Sequence, residues 1–266
     1  MDDYVKNNKK AWEMSFEHRT AAFDRRTEEG LAEHPEGFFS DPLKQALTRV
    51  VRPDARLAQL CSNNGRETIA SLALGFGETV GFDIAENMVA YGNLLAKQMG
   101  KNACFYSADV LSLTEEVAGT FDAILVTVGA LTWFEDLGTF FETARRLLKP
   151  GGTLLIEDMH PFVNMLATTD ETPFDPNHPN TPVYDYFVKR PWGDVDSMTY
   201  MTEDAYQTKD FTSFAHTMGD IVSACAAAGL SVVRLTEFPT DRSDSFGHLD
   251  HAGLPLTYLL EAKHPH

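Results

Sequence analysis

The sequence predicts an α/β protein built on a doubly wound parallel sheet, and three observations carry that prediction. From Ala55 to Glu157 short apolar runs alternate with amphipathic stretches, the texture of strands covered by helices on both faces. Two early runs end in acids, Asp83 and Asp109, at the carboxyl edge where such a sheet opens its ligand crevice. After a long irregular stretch the chain returns to one apolar helix and two closing strands.

Before Arg52 the pattern is helical, with Val5, Trp12, Phe16 and Phe23 near a 3.6 period among charges. Gly30 and the segment Glu33 to Gly37 interrupt it. Asp41-Pro42 opens another helix, Asp41 as N-cap and Pro42 at the first helical position. The alternation then gives strand Ala55–Leu60, helix Arg66–Leu74, strand Thr79–Phe82, helix Ala85–Met99 and strand Ala103–Tyr106. Strand Phe121–Val128, helix Leu137–Leu148 and strand Gly152–Glu157 follow, with Lys149-Pro150-Gly151-Gly152 as the break before the last strand. Between His160 and Phe214 the alternation stops. Prolines from Pro161 to Pro191 crowd this stretch and Tyr184, Tyr186, Tyr200 and Tyr206 punctuate it, the mark of a lid, a small accessory sheet or a binding loop. Thr217 to Asp220 reads as a capping box opening a helix to Ala228, stopped by Gly229. Strands Ser231–Phe238 and Leu256–Glu261 close the chain. The resulting division is a helical cap over 1–52, a core over 53–159, a lid insertion over 160–213 and the rest of the core sheet over 214–266, all within one structural domain.

The chain has 266 residues and a net charge of −17, enough apolar content for a sizeable core and an excess of acid that disfavours nucleic-acid or anionic-membrane partners. Three cysteines, Cys61, Cys104 and Cys225, form no CxxC spacing and cannot all pair, which favours a reducing compartment. The first residues lack the apolar core of a signal peptide, and no apolar run is long enough to span a bilayer. The expectation is a soluble cytoplasmic protein acting on a small molecule. A homodimer stays open, with an exposed Phe38-Phe39 pair or the lid as the surface that would join subunits. His248, Asp250 and His251 are explained by a polar loop between strands, and no metal is expected.

The chemistry concentrates in LAQLCSNNGRET, residues 57–68, a strand turning tightly into a helix. Unpaired backbone N–H groups at such a turn suit a nucleotide-like ligand. Asp83, at the end of the next strand, is placed to accept both hydroxyls of a ribose; capping of the following helix is the local alternative. Asp109, at the end of the third strand, is placed for an adenine amine or for a loop hydrogen bond.

With GFDIAENM (81–88), SADV (107–110), FDAILVTVGALTWF (121–134) and RRLLKPGGTLLIED (145–158), this order of motifs resembles the class I S-adenosylmethionine (SAM)-dependent methyltransferases. The Asn-Asn-Gly-Arg-Glu turn, the His160-Pro161-Phe162 run and the Asn8 to Trp12 stretch resemble an uncharacterised bacterial small-molecule subgroup, in which such an N-terminal helix covers the SAM site. The resemblance implies a Rossmann-like, doubly wound seven-stranded sheet, parallel but for one antiparallel strand, with SAM as cofactor and S-adenosylhomocysteine (SAH) as product. It also implies methyl transfer to an O or N atom of a small molecule. Where the family's turn reads acid, then Gly-x-Gly-x-Gly, this chain has Gln59, Cys61, Asn63 and Gly65, so a carboxylate is lost while Asn63 tolerates a left-handed backbone.

The cofactor contacts implied are Trp12, Gln59, Cys61, Asn63, Gly65, Asp83, Ile84, Met88, Asp109, Val110 and Thr127. Trp133, Tyr184, Tyr186, Tyr206 and His216 are the candidates for substrate contact, and His160 for a general base. A loop histidine bonded to backbone is the plainer reading of His160, and a core anchor that of Trp12. A dinucleotide dehydrogenase is disfavoured because GxGxxG is absent, the third strand carries its own Asp109, and the chain closes with two strands. Two further alternatives are a SAM-binding protein without catalysis and the same fold with other SAM chemistry.

Overall fold

The computed structural model describes residues 3–114, 117–196, 200–202 and 207–266. Its main sheet has seven strands: β1 (Arg56–Leu60), β2 (Glu78–Asp83), β3 (Ala103–Ser107), β4 (Phe121–Val126), β5 (Leu148–Met159), β8 (Ser231–Phe238) and β9 (Thr257–Lys263), in the order β3-β2-β1-β4-β5-β9-β8. The first five are parallel, and β9 runs antiparallel to both of its neighbours. Strand order reverses between β1 and β4, which opens a crevice at their carboxyl ends. The fold class expected from the sequence is the one observed.

The central strands β1 and β4 are buried on both faces, as their unbroken apolar runs require. On one face α6 (Leu137–Leu147) and α7 (Met218–Ala227) set Phe140, Phe141, Ile221 and Cys225 against Leu60, Ile124, Val126 and Ile156. On the other, α4 (Arg66–Ser71) and α5 (Glu86–Gln98) share a core with α1 (Asp3–Glu17), α2 (Ala21–Glu33) and α3 (Asp41–Thr48). Phe16, Phe23, Leu31, Leu43 and Leu47 there meet Leu57, Leu125 and Leu155. Beneath α4 and α5, the ring of Phe105 lies where a Cβ on Gly65 or Gly81 would stand, at 2.5 and 2.3 Å, so both glycines are required by close packing.

Several local expectations are corrected. The N-terminal helix breaks not at Gly30, which lies inside α2, but at Thr20, whose side chain caps Phe23 N–H. Ser40, not Asp41, is the N-cap of α3, because its hydroxyl accepts from Leu43 N–H; Pro42 does sit in the first turn. Phe38-Phe39 is no exposed pair: Phe39 is buried, and Phe38 packs on Gly30 under the Arg66 guanidinium. Cys104 is half-buried against the core. The Thr217–Asp220 capping box is present in full.

After β5 a short helical turn over Pro161–Met165 leads through loops to a separate antiparallel pair, β6 (Trp192–Asp196) and β7 (Gln207–Ser213). Helix α1 packs on β7. The buried Asn8 side chain donates to Thr212 C=O at 2.8 Å and accepts from Thr212 N–H at 2.7 Å, as a neighbouring strand would. Among the described residues, no helix is long and apolar enough to cross a membrane.

Candidate active site

The turn after β1 is built from three residues with positive φ: Cys61 at 57°, Asn63 at 50° and Gly65 at 86°. The backbone thus turns left-handed at each position where the resemblance expects glycine, although only one glycine remains. Asp83, 8% exposed, lies against this turn. Its Oδ2 accepts from Asn63 N–H at 2.7 Å and its Oδ1 from Ala85 N–H at 2.9 Å, so it secures the turn and starts α5 together. Burial pushes its carboxyl up to about 6, against the opposing pull of these N–H groups.

Gln59 is fully enclosed, donating to Thr127 Oγ1 at 3.1 Å and accepting from Thr68 Oγ1, so it ties β1 to α4 and to the loop after β4. Asn63 donates its amide to the Tyr200 hydroxyl at 3.0 Å, and Asn64 reaches Thr27 of α2 at 3.4 Å. Inward placement of the Tyr200 hydroxyl raises its pKa to about 12, so it is a neutral donor and acceptor at ordinary pH. Burial likewise drives the Cys61 thiol well up, away from nucleophilic use. Asp109 accepts from Leu111 N–H at 3.0 Å, the local loop bond; Ile84 beside it is half-buried, and Val110 and Met88 are buried in the core.

Three aromatic rings meet on the cap side. Trp12 of α1 packs edge-on to Trp133 and to Phe211 of β7, each with ring centroids 5.4 Å away, while Trp133 and Phe211 are 5.5 Å apart. Trp133 belongs to the loop that Asp158 organises. This buried carboxylate accepts from Gly129 N–H at 2.6 Å, Met159 N–H at 2.8 Å and Leu131 N–H at 3.3 Å, and burial pushes it up to about 6. The neighbouring Glu157 is 3% exposed on the opposite face, accepting from the Ser40 hydroxyl with Arg242 3.9 Å away; burial raises it too. Sequence reasoning passed over Asp158, Glu157, Tyr200 and Phe211; a pair of acids ending the apolar run of β5 was the available signal for the first two.

His160 is 7% exposed and both ring nitrogens are engaged. Nδ1 accepts from Phe162 N–H at 3.0 Å, which leaves the proton on Nε2 to donate to Glu237 Oε1 at 2.8 Å. Burial holds its pKa below the usual range. The ring ties the end of β5 to β8 through Glu237 and holds the following turn through Phe162 N–H.

His216 bonds Phe134 C=O at 2.8 Å, and the Tyr186 hydroxyl accepts from Met218 N–H at 3.0 Å, so both serve the start of α7. Tyr184 bonds Glu171 and packs on Trp192. Tyr184 and Tyr186 are held within the lid and at α7 and His216 by the loop after β4, and among the described contacts none of the three bonds a residue of the turn. Tyr206 lies outside the described residues. His248 packs on Phe174, and Asp250 accepts from Asp241 N–H in the loop before β9.

Residues 58–152 match the model of a family described as a methyltransferase domain. A SAM-dependent methyltransferase from Mesorhizobium loti superposes with a TM-score of 0.61 at 21% identity, covering 88% of this chain and 100% of that one. The fold is that of the SAM-dependent methyltransferases. A Listeria monocytogenes protein described as a putative member of that class gives 0.61 at 14% identity, over 82% of this chain and 96% of that one. Geranyl diphosphate C-methyltransferase from Streptomyces coelicolor A3(2), solved with Mg2+, geranyl diphosphate and SAH, gives 0.55 at 14% identity, over 84% and 77%. No curated protein matches the chain in sequence.

Proposed function

We propose that this chain binds SAM across the turn after β1 and transfers its methyl group to an O or N atom of a small molecule. One observation carries the reading: three left-handed residues, Cys61, Asn63 and Gly65, bend the backbone around the buried Asp83 carboxylate at the crevice of a methyltransferase fold. Asp83 is the acceptor for the ribose hydroxyls, and Asp109 with Val110 borders the adenine. SAM supplies a methyl group on a sulfonium that departs as a neutral thioether.

The protein's part is therefore alignment and exclusion of water. Trp12, Trp133 and Phe211 present aromatic faces and edges that suit a cation and keep the site dry. Asp158 fixes the Gly129–Leu131 backbone beside the acceptor. His160 has no free lone pair, so its part is to hold the end of β5, and the acceptor's proton is released to solvent as the thioether departs. That same feature favours the second reading, SAM binding without methyl transfer.

Calorimetric titration with SAM and SAH, beside Asp83→Ala, tests the cofactor. Micromolar binding lost in the variant supports it, and no binding to folded wild-type protein overturns it. Incubation with SAM and a metabolite extract then separates the two readings, since methyl transfer yields a product heavier by one CH2 unit.

A further inference from the structure

Glu157 has no part in the reading above, yet it shares a sheet edge with Asp83. Leu60↔Phe82, Leu60↔Val126 and Val126↔Ile156 are the last pairs in register, and Asp83 and Glu157 each follow by one residue at the carboxyl edge of β2 and β5, with β1 and β4 between those strands. Glu157 follows Leu155 by two residues and so shares its face, the one that carries α3 and α4. That edge thus carries a buried carboxylate on β2 and another on β5, with Thr127, just after β4, between those strands. Three strand spacings separate β2 from β5 by about 14 Å. A ligand that reaches both must offer a donor at each end, as a diol and a cation do, because ionised Asp83 and Glu157 are both acceptors.

The charge around Glu157 is also suited to a cation. Among the described residues its close partner is the neutral Ser40 hydroxyl; Arg242 stays at 3.9 Å with its side chain 37% exposed, and the buried Glu67 is matched by its own Arg66. A carboxylate 3% exposed with so loose a counter-charge is costly unless a ligand completes it. Gln59, uncharged and committed to Thr127 and Thr68, cannot do so.

We infer that Glu157 is the binding residue for the α-ammonium of SAM, so that the carboxylate missing from β1 is supplied from β5. The inference rests on SAM being the ligand, and its test separates the two. Wild-type protein is titrated with SAH, with 5′-methylthioadenosine, which lacks the amino-acid arm, and with the des-amino analogue of SAH. Glu157→Gln and Ser40→Ala are titrated with the first two. SAH is expected to bind wild type at least about tenfold more tightly than its des-amino analogue, as a charge-assisted hydrogen bond requires. Glu157→Gln loses about the same factor for SAH and keeps 5′-methylthioadenosine within about twofold. Ser40→Ala, which removes the hydroxyl and leaves the charge, keeps the preference for SAH. Equal affinity of wild type for SAH and its des-amino analogue overturns the inference even if Glu157→Gln fails to fold. So does a parallel loss in Glu157→Gln and Ser40→Ala, which marks a structural bond. If wild type binds neither nucleoside, the SAM reading itself falls, and the inference with it.

Discussion

Replacing Asp83 by Asn removes a charge while keeping the shape, and its effect on stability changes with pH in a calculable way. In the wild type, folding raises the carboxyl from 3.8 to about 6, so at pH 7 the ionised form is held at a cost of about 3 kcal/mol. The amide avoids that cost but has one acceptor oxygen for two N–H donors, Asn63 at 2.7 Å and Ala85 at 2.9 Å, and forfeits about 1.5–3 kcal/mol. The two nearly cancel, so Asp83→Asn is expected within about 1 kcal/mol of wild type at pH 7. The folded state binds the proton more tightly than the unfolded state. The wild type therefore gains stability as pH falls through 6 towards 4, and loses it as pH rises through the same window. Integrating with pKa values of 3.8 and about 6, wild type gains about 1.3 kcal/mol on the variant between pH 7 and pH 5. Urea unfolding of both proteins at the two pH values measures this, provided their m-values agree. A pH-independent gap, or one that closes in acid, refutes the burial argument.

Other expectations follow from the same geometry. Protonation of Asp83 alone is expected to lower SAH affinity by about tenfold from pH 7 to pH 5, and calorimetry of Asp83→Asn should show that part of the dependence removed. Asn8→Ala leaves Thr212 N–H and C=O unpaired at a loss of about 1–3 kcal/mol, and limited proteolysis should then cut the β6–β7 hairpin sooner. His160→Ala lowers thermal stability by a similar amount, through Phe162 and Glu237, with SAH affinity within about twofold of wild type; a large loss of affinity would return His160 to the site.

The sheet was legible because its strands are short apolar runs set between helices with an apolar stripe, a contrast that survives without tertiary information. The ends of the crevice strands were legible for a related reason: Asp83 and Asp109 interrupt apolar runs at fixed places. Gly30 misled because a glycine in a helix costs only about 1 kcal/mol, which close packing against Phe38 outweighs. The contacts of Tyr200 and Asn8 were not legible. Their partners, Asn63 and Thr212, lie 137 and 204 residues away, and nothing local marks a side chain that serves a distant backbone. His160 stood in a plausible place, but the neighbour that engages its Nε2 comes from β8, beyond the lid.

The turn after β1 carries a consequence for how such sites are recognised and varied. What is specified there is the sign of a dihedral angle at every second residue, and glycine is only the easiest letter with which to write it. Asn63 adopts the same handedness at a small conformational penalty and adds an arm that glycine lacks, one that grips the Tyr200 hydroxyl. A turn spelled entirely in glycine would fold more freely and would have no grip on the segment that covers it. In this chain the floor of the crevice and its cover are linked by a side chain, so loosening one is felt by the other.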